Sequence, residues 1–208
     1  MSWWRDRVVP RLTDVALRGE EIGELRAEAC AGLHGDVLEV GFGSGLNLPF
    51  LPVEVRRVHA VEPADRGWEI SAARRAESRV PVVRSGLDGQ RLTEPDSTFD
   101  GVLVTFSFCT IPDPSAALDE IRRVLKPGGT LHFLEHGLAP DPGVARWQHR
   151  LEPLQSAVFA GCHLTRDTPA LARAAGFDVV DLRQEYLPGP RLGRPWAYGS
   201  VGTGRLAT

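Results

Sequence analysis

An excess of charge of either sign is missing from this chain. Its 24 lysines and arginines stand against 27 aspartates and glutamates, a formal net charge of −3. Without a positive field to gather phosphates, no nucleic-acid partner is expected. Long apolar runs are missing too: residues 101 to 108 form one of the longest, far short of the roughly 20 residues that cross a bilayer. No integral membrane span is therefore expected, although Trp3 and Trp4 beside arginines leave room for peripheral membrane contact. Cysteine is scarce, and Cys30, Cys109 and Cys162 stand singly with no C-x-x-C. That excludes a disulfide framework and makes a reducing cytoplasm the expected setting. Cys162 and His163 are adjacent, but neighbours in sequence rarely supply a tetrahedral site, so no metal is expected. The opening residues MSWWRDRVVPRLTD lack the apolar core and small-residue cleavage site of a secretory leader, and none is expected.

What is present is enough apolar material for one sizeable core, 42% of 208 residues, and no repeat or low-complexity linker that would divide it. Apolar positions in residues 12 to 33 favour an amphipathic helix, weakened by Gly19 and Gly23. Short β-rich runs follow at 36–40, 56–61, 80–84, 99–104 and 130–134. Helical stretches at 64–79 and 113–125 separate them, the second closed by Lys126-Pro127-Gly128-Gly129. Near-continuous apolar strands alternating with helices predict an α/β fold, a Rossmann-like parallel sheet with helices on both faces. After a helix at 167–176, strands at 177–183 and 196–203 have no helix between them and predict an antiparallel pair at one edge. The organisation expected is an N-terminal helical segment or lid, 1–35, leading into a single domain, 36–208.

The stretch VLEVGFGSGLNLPF, residues 37 to 50, places glycines at 41, 43 and 45 where the first strand ends and a helix would begin. Open α/β sheets bind ligands there, and bare backbone lets a ligand approach closely. The spacing departs from a dinucleotide fingerprint, since Leu46 stands where its third glycine would fall, and no Lys-Ser or Lys-Thr pair follows as in a P-loop. Glu62 at the end of the second strand can accept hydrogen bonds from both hydroxyls of a ribose. Glu39, two residues before Gly41, either orients the glycine loop or meets a ligand ammonium.

These residues resemble the class I S-adenosylmethionine-dependent methyltransferases. The resemblance is carried by LEVGFGSG (38 to 45), AVEP (60 to 63), SGLDG (85 to 89), FDGVLVTFSFCTIPDP (99 to 114) and EIRRVLKPGGTLHFLEH (120 to 136). It implies a seven-stranded, mostly parallel sheet and S-adenosylmethionine as cofactor, leaving as S-adenosylhomocysteine. Transferred by motif position, it implies a cofactor set of Glu39, Gly41, Phe42, Gly43, Gly45, Asn47, Glu62, Pro63, Gly86, Leu87, Asp88, Thr105 and Phe106. Within the family, Glu135-His136, Trp147-Gln148, Leu151 to Pro153 and Gly161 to Arg166 resemble the animal thiol methyltransferases of the methyltransferase-like class and their bacterial relatives. That implies a small-molecule acceptor, with a thiol or sulfide favoured. A quinone or other small metabolite taking methyl at carbon or oxygen is the alternative, and a non-catalytic cofactor-binding protein a third.

A thiol near its ordinary pKa of about 8.5 is already a few per cent thiolate at neutral pH and needs only modest help. His136 or His163 is the candidate to assist its deprotonation or to orient it. Phe106, Phe108, Trp147, Phe159 and Tyr186 either roof an apolar acceptor pocket or pack in the core. Cys109 reads as a small buried hydrophobe.

Overall fold

The structure, a computed structural model, describes residues 3–187 and 190–206. Pro188 and Gly189, in the loop expected to join the last two strands, lie outside the described residues, as do residues 1, 2, 207 and 208. The strands are β1 Gly35–Val40, β2 Val55–Val61, β3 Val82–Gly86, β4 Phe99–Thr105, β5 Leu125–His136, β6 Phe177–Tyr186 and β7 Tyr198–Leu206. They form one sheet in the order β3-β2-β1-β4-β5-β7-β6. Pairing is parallel from β3 to β5, and β7 runs antiparallel to both β5 and β6. The expected antiparallel pair thus occupies one edge, with the last strand tucked inside the one before it.

Alternate residues of the central strands feed two cores, one on each face. On one face Val102, Val104 and Phe133 pack beneath helix α5, Pro114–Val124, which buries Ala117, Leu118, Ile121 and Val124. On the other, Leu103 and Leu134 pack with Leu25, Ala29 and Cys30 of helix α2, Glu20–Cys30. The start of α5 is fixed locally: the Asp113 carboxylate accepts from the N–H groups of Ser115 and Ala116, and Pro114 fills the first position, where an N–H has no partner to lose.

Two expected helices divide. The stretch 12–33 becomes α1, Val9–Ala16, and α2, with Gly19 as the residue before α2 in extended backbone. The stretch 64–79 becomes α3, Asp65–Ile70, and α4, Ala72–Glu77. They meet at Ser71, whose buried hydroxyl donates to the Trp68 carbonyl at 2.7 Å and accepts from Arg75 Nε at 2.8 Å, a local competitor for helical bonding. Strand β5 starts earlier than the expected 130–134, because Leu125 already pairs with Phe99 before Lys126-Pro127-Gly128-Gly129. Helix α6, Pro142–Val158, has no counterpart in the sequence-based expectation; α7, Thr168–Ala174, and the short α8, Arg194–Ala197, complete the α-helices among the described residues. No helix among the described residues is long and apolar enough to cross a membrane.

Candidate active site

From β1 the chain runs outward through β2 to β3 and then crosses back to β4 on the other side of β1, so the connections after β1 and β4 leave in opposite directions and open a crevice at the carboxyl ends of the strands. A cavity of about 450 Å³ occupies it. Gly41, Gly43 and Gly45 all take positive φ, at 78°, 57° and 76°. At Gly41 the need is steric as well, since a Cβ would lie 1.8 Å from Ser107 Oγ. The loop wraps the Glu62 carboxylate, whose Oε2 accepts the Gly43 N–H at 2.6 Å while Oε1 accepts the Ala64 N–H at 2.7 Å. Burial pushes Glu62 above the ordinary carboxylate range, although these two N–H groups and Arg84 pull the other way.

Of the residues transferred by motif, Gly41, Phe42, Gly43, Asn47, Glu62, Pro63, Leu87, Asp88, Thr105 and Phe106 line this cavity. Glu39, Gly45 and Gly86 stand behind its wall. Gly45 packs against Phe42 and Leu48, and Gly86 against Val61. Glu39 is 1% exposed and accepts from Asn47 Nδ2 at 2.8 Å through Oε1. Its Oε2 is buried without a partner, and burial pushes its pKa up to about 8. Its place is therefore behind Asn47, orienting the loop, rather than in the cavity wall.

Two charged lining residues come from the N-terminal segment, with no sequence signal beyond apolar spacing. Arg26 on α2 donates through Nη1 to Asn47 Oδ1 at 2.6 Å and Thr105 Oγ1 at 3.1 Å, and its Nε is buried without a partner. Desolvation lowers the pKa of this guanidinium, with the Glu39 carboxylate opposing. Asp14 on α1 accepts from Ser44 Oγ at 2.7 Å and Arg74 Nη1 at 2.9 Å, with Arg18 also bonded. Burial pushes Asp14 up, but these partners more than offset it and hold the carboxyl below its usual range. Val9, Pro10, Thr13 and Leu17 line the cavity too, so the expected N-terminal segment forms one side of the site.

A second cavity, about 190 Å³ and mostly apolar, lies between α2 and strands β5 and β7. Leu25, Leu134, His136, Trp196 and Val201 contribute to its wall, and Leu17 and Phe106 line both cavities. Phe106 follows β4 at φ 51°, a left-handed conformation uncommon for a bulky residue and typical of positions under functional constraint. Among the aromatics considered as a pocket roof, Phe106 alone lines this cavity. Phe108 is core, Trp147 is exposed, and Tyr186 donates to Asp141 Oδ2 at 2.7 Å.

The two histidines part company. His136, at the end of β5, lines the small cavity, holds Nε2 3.2 Å from Cys162 Sγ, and keeps Nδ1 buried without a partner. Burial pulls its pKa down, but Cys162 and the carboxylates of Glu135 and Glu152 outweigh this and raise it. His163 lines neither cavity; its Nδ1 sits 2.7 Å from Glu152 Oε1, in a knot that also holds the Leu164 N–H and the Thr165 hydroxyl. Cys109, His136 and Cys162 bring their sulfur and nitrogen atoms within 4.8 Å of one another, a grouping hidden in sequence by the distance between its members. Glu135, whose Oε1 accepts the N–H groups of Ser107 and Phe108 at 2.6 and 2.9 Å, fixes the turn after β4.

A family model described as a methyltransferase domain matches residues 38–133. The chain is 36% identical over 160 residues to the thiol S-methyltransferase TMT1B of Rattus norvegicus, covering 74% of this chain and 64% of that protein. To the thiol S-methyltransferase TMT1A of Homo sapiens it is 32% identical over 170 residues, covering 78% of this chain and 68% of that protein. The chain thus spans about two thirds of these relatives. Its fold matches the crystal structure of the YcgJ protein from Bacillus subtilis with a TM-score of 0.68 at 15% identity, over 90% of this chain and 98% of that one.

Proposed function

The chain belongs to the class I S-adenosylmethionine-dependent methyltransferases, and on that footing we propose that it transfers the cofactor's methyl group to a small apolar thiol held in the cavity beside His136. The observation that carries this reading is the shared wall: Leu17 and Phe106 border both the glycine-loop cavity and the apolar one. The relatives named as thiol S-methyltransferases support the acceptor class.

The residues suit the cofactor. Glu62 accepts the ribose hydroxyls through lone pairs its two backbone partners leave free. Arg26, a buried cation with an unpartnered Nε at the cavity wall, pairs with the methionine carboxylate. The backbone around Gly41 and Gly43 admits the amino-acid end, and Leu87 with Asp88 flanks the adenine. Bound S-adenosylmethionine would supply a methyl group on a sulfonium: the acceptor sulfur, having lost its proton, would bond to the methyl carbon in line as the bond to the donor sulfur breaks, and S-adenosylhomocysteine would be the leaving group.

The protein's part is alignment, which can account for much of the rate of such a displacement. Phe106 holds the boundary between the two ligands, and His136 orients the acceptor through the buried Nδ1 that no protein group engages. Titration calorimetry with the cofactor, followed by labelled-methyl transfer to a thiol, a phenol and an amine of similar size, tests the reading. Transfer to the thiol with the highest kcat/KM is expected. Transfer only to phenol or amine would refute the acceptor class, and binding without transfer to any would favour a non-catalytic role. His136→Ala should raise the acceptor KM more than it changes cofactor affinity; an unchanged KM removes His136 from the acceptor site.

A further inference from the structure

We propose that Cys109, His136 and Cys162 form a binding site for one Zn²⁺. The three residues come from separate parts of the chain: the turn after β4, the end of β5 and the loop after α6. Their ligating atoms lie within 4.8 Å of one another, with His136 Nε2 and Cys162 Sγ 3.2 Å apart. Zinc bonds of about 2.3 Å to sulfur and about 2.1 Å to nitrogen, set tetrahedrally, separate ligand atoms by roughly 3.6–3.8 Å. Small side-chain adjustments therefore bring the cluster onto a metal.

Its surroundings are fixed beforehand. The Cys109 carbonyl accepts the His163 N–H at 2.8 Å, and Arg166 binds the carbonyls of Phe108 and Ile111 on either side of the Cys109 turn. Cys162 follows Ala160 and Gly161, both at positive φ, and its N–H donates to the Phe159 carbonyl. Gln155 Nε2 reaches Cys162 Sγ at 3.4 Å, and Trp196 Nε1 in turn holds Gln155 Oε1 at 3.0 Å. Outer partners of this kind orient metal ligands and tune their affinity.

The donor set selects the ion. Two sulfurs and an imidazole suit zinc and exclude the oxygen-seeking magnesium and calcium. Two thiolates, a neutral imidazole and Zn²⁺ sum to zero charge, which suits a buried place where an unbalanced charge would be costly. A three-ligand set is the pattern of sites that keep an exchangeable fourth position, and His136 puts this one at the wall of the apolar cavity. The proposal does not depend on the acceptor class.

The test uses the full chain, reduced and stripped with a chelator, titrated with Zn²⁺ against a chromophoric competitor and with Co²⁺ by absorption. One Zn²⁺ per chain with a submicromolar dissociation constant is expected, together with a thiolate-to-cobalt charge-transfer band. Cys109→Ser and Cys162→Ser should each weaken binding at least about 100-fold, whereas Cys30→Ser should leave it unchanged. Zn²⁺ should raise the melting temperature of the native chain and of Cys30→Ser, but not of folded Cys162→Ser or His136→Asn. No saturable uptake by the native chain, or uptake that the Cys162 and His136 variants retain, overturns the site.

Discussion

Replacing Glu62 with glutamine tests the cofactor site at its centre. The carboxylate accepts one backbone N–H on each oxygen, from Gly43 at 2.6 Å and Ala64 at 2.7 Å, and in the proposed reading the ribose hydroxyls would use the remaining lone pairs. Glutamine keeps one acceptor oxygen, so its NH₂ must face either the Gly43 or the Ala64 N–H, and one hydroxyl loses its acceptor. A hydrogen bond to a charged group is worth about 1.5–3 kcal/mol. Adding the disturbance of the glycine loop gives a loss of about 2–4 kcal/mol, or roughly 30- to 1000-fold in Kd. The cofactor-free fold should lose less, because the amide also removes the cost of burying a charge. Calorimetry of Glu62→Gln against the native chain, with circular dichroism and a melting curve to confirm folding, measures both. A folded variant binding within threefold of native would refute the ribose role and with it the placement of the cofactor.

Gly41→Ala should abolish measurable cofactor binding and cost at least about 2 kcal/mol in denaturant unfolding, since it meets Ser107 Oγ at 1.8 Å and keeps an unfavourable φ. Adding Ser107→Gly should recover part of the loss, because it relieves the clash but not the backbone. His132, 3% exposed, sits between the Ala29 carbonyl and the Thr130 hydroxyl, and burial holds its pKa down to about 4. The unfolded chain therefore takes up this proton first: the contribution of His132 to stability is full above about pH 6.5 and falls by roughly 3 kcal/mol as pH drops to about 4. Buried carboxyls such as Glu39 titrate with the opposite sign, so the measure is the difference: across that range urea unfolding should show the native chain losing roughly 3 kcal/mol relative to His132→Gln. Gln148 binds the Ala139 N–H and the carbonyls of Gly137, Leu164 and Pro195, so Gln148→Ala should cost about 2–4 kcal/mol in the same assay while leaving cofactor affinity near native.

The first strand and the glycine loop were legible in sequence because strand periodicity, positive φ and ligand access all require particular residues there. Glu62 was legible for the same reason, as its strand end and partner loop are local features. Arg26 was not: its role depends on α2 folding back over the sheet to meet Asn47 and Thr105, 21 and 79 residues away in sequence. The N-terminal helix was seen but not its break, since Gly19 could weaken a helix or end one. Helix α6 carries Pro153 in its interior and buries few residues along its length, Gln148 and Gln155 among them, so its apolar pattern is faint. His163 is the more conspicuous histidine in sequence, beside Cys162, yet Glu152 draws its ring away from the cavities. His136 reaches Cys162 instead, across a parallel strand end and a long excursion through α6.

The partition at Phe106 separates two kinds of inheritance. The small cavity is built from Leu17, α2, Phe106, β5, the end of β6 through Leu187, α8 and β7, and no residue of the glycine loop lines it. Substitutions at Leu25, Trp196 or Val201 can reshape what enters without touching Glu62, Asn47 or Gly41. On the proposed reading, a lineage carrying this scaffold can exchange one acceptor for another on the apolar side while the site of its methyl donor stays the same.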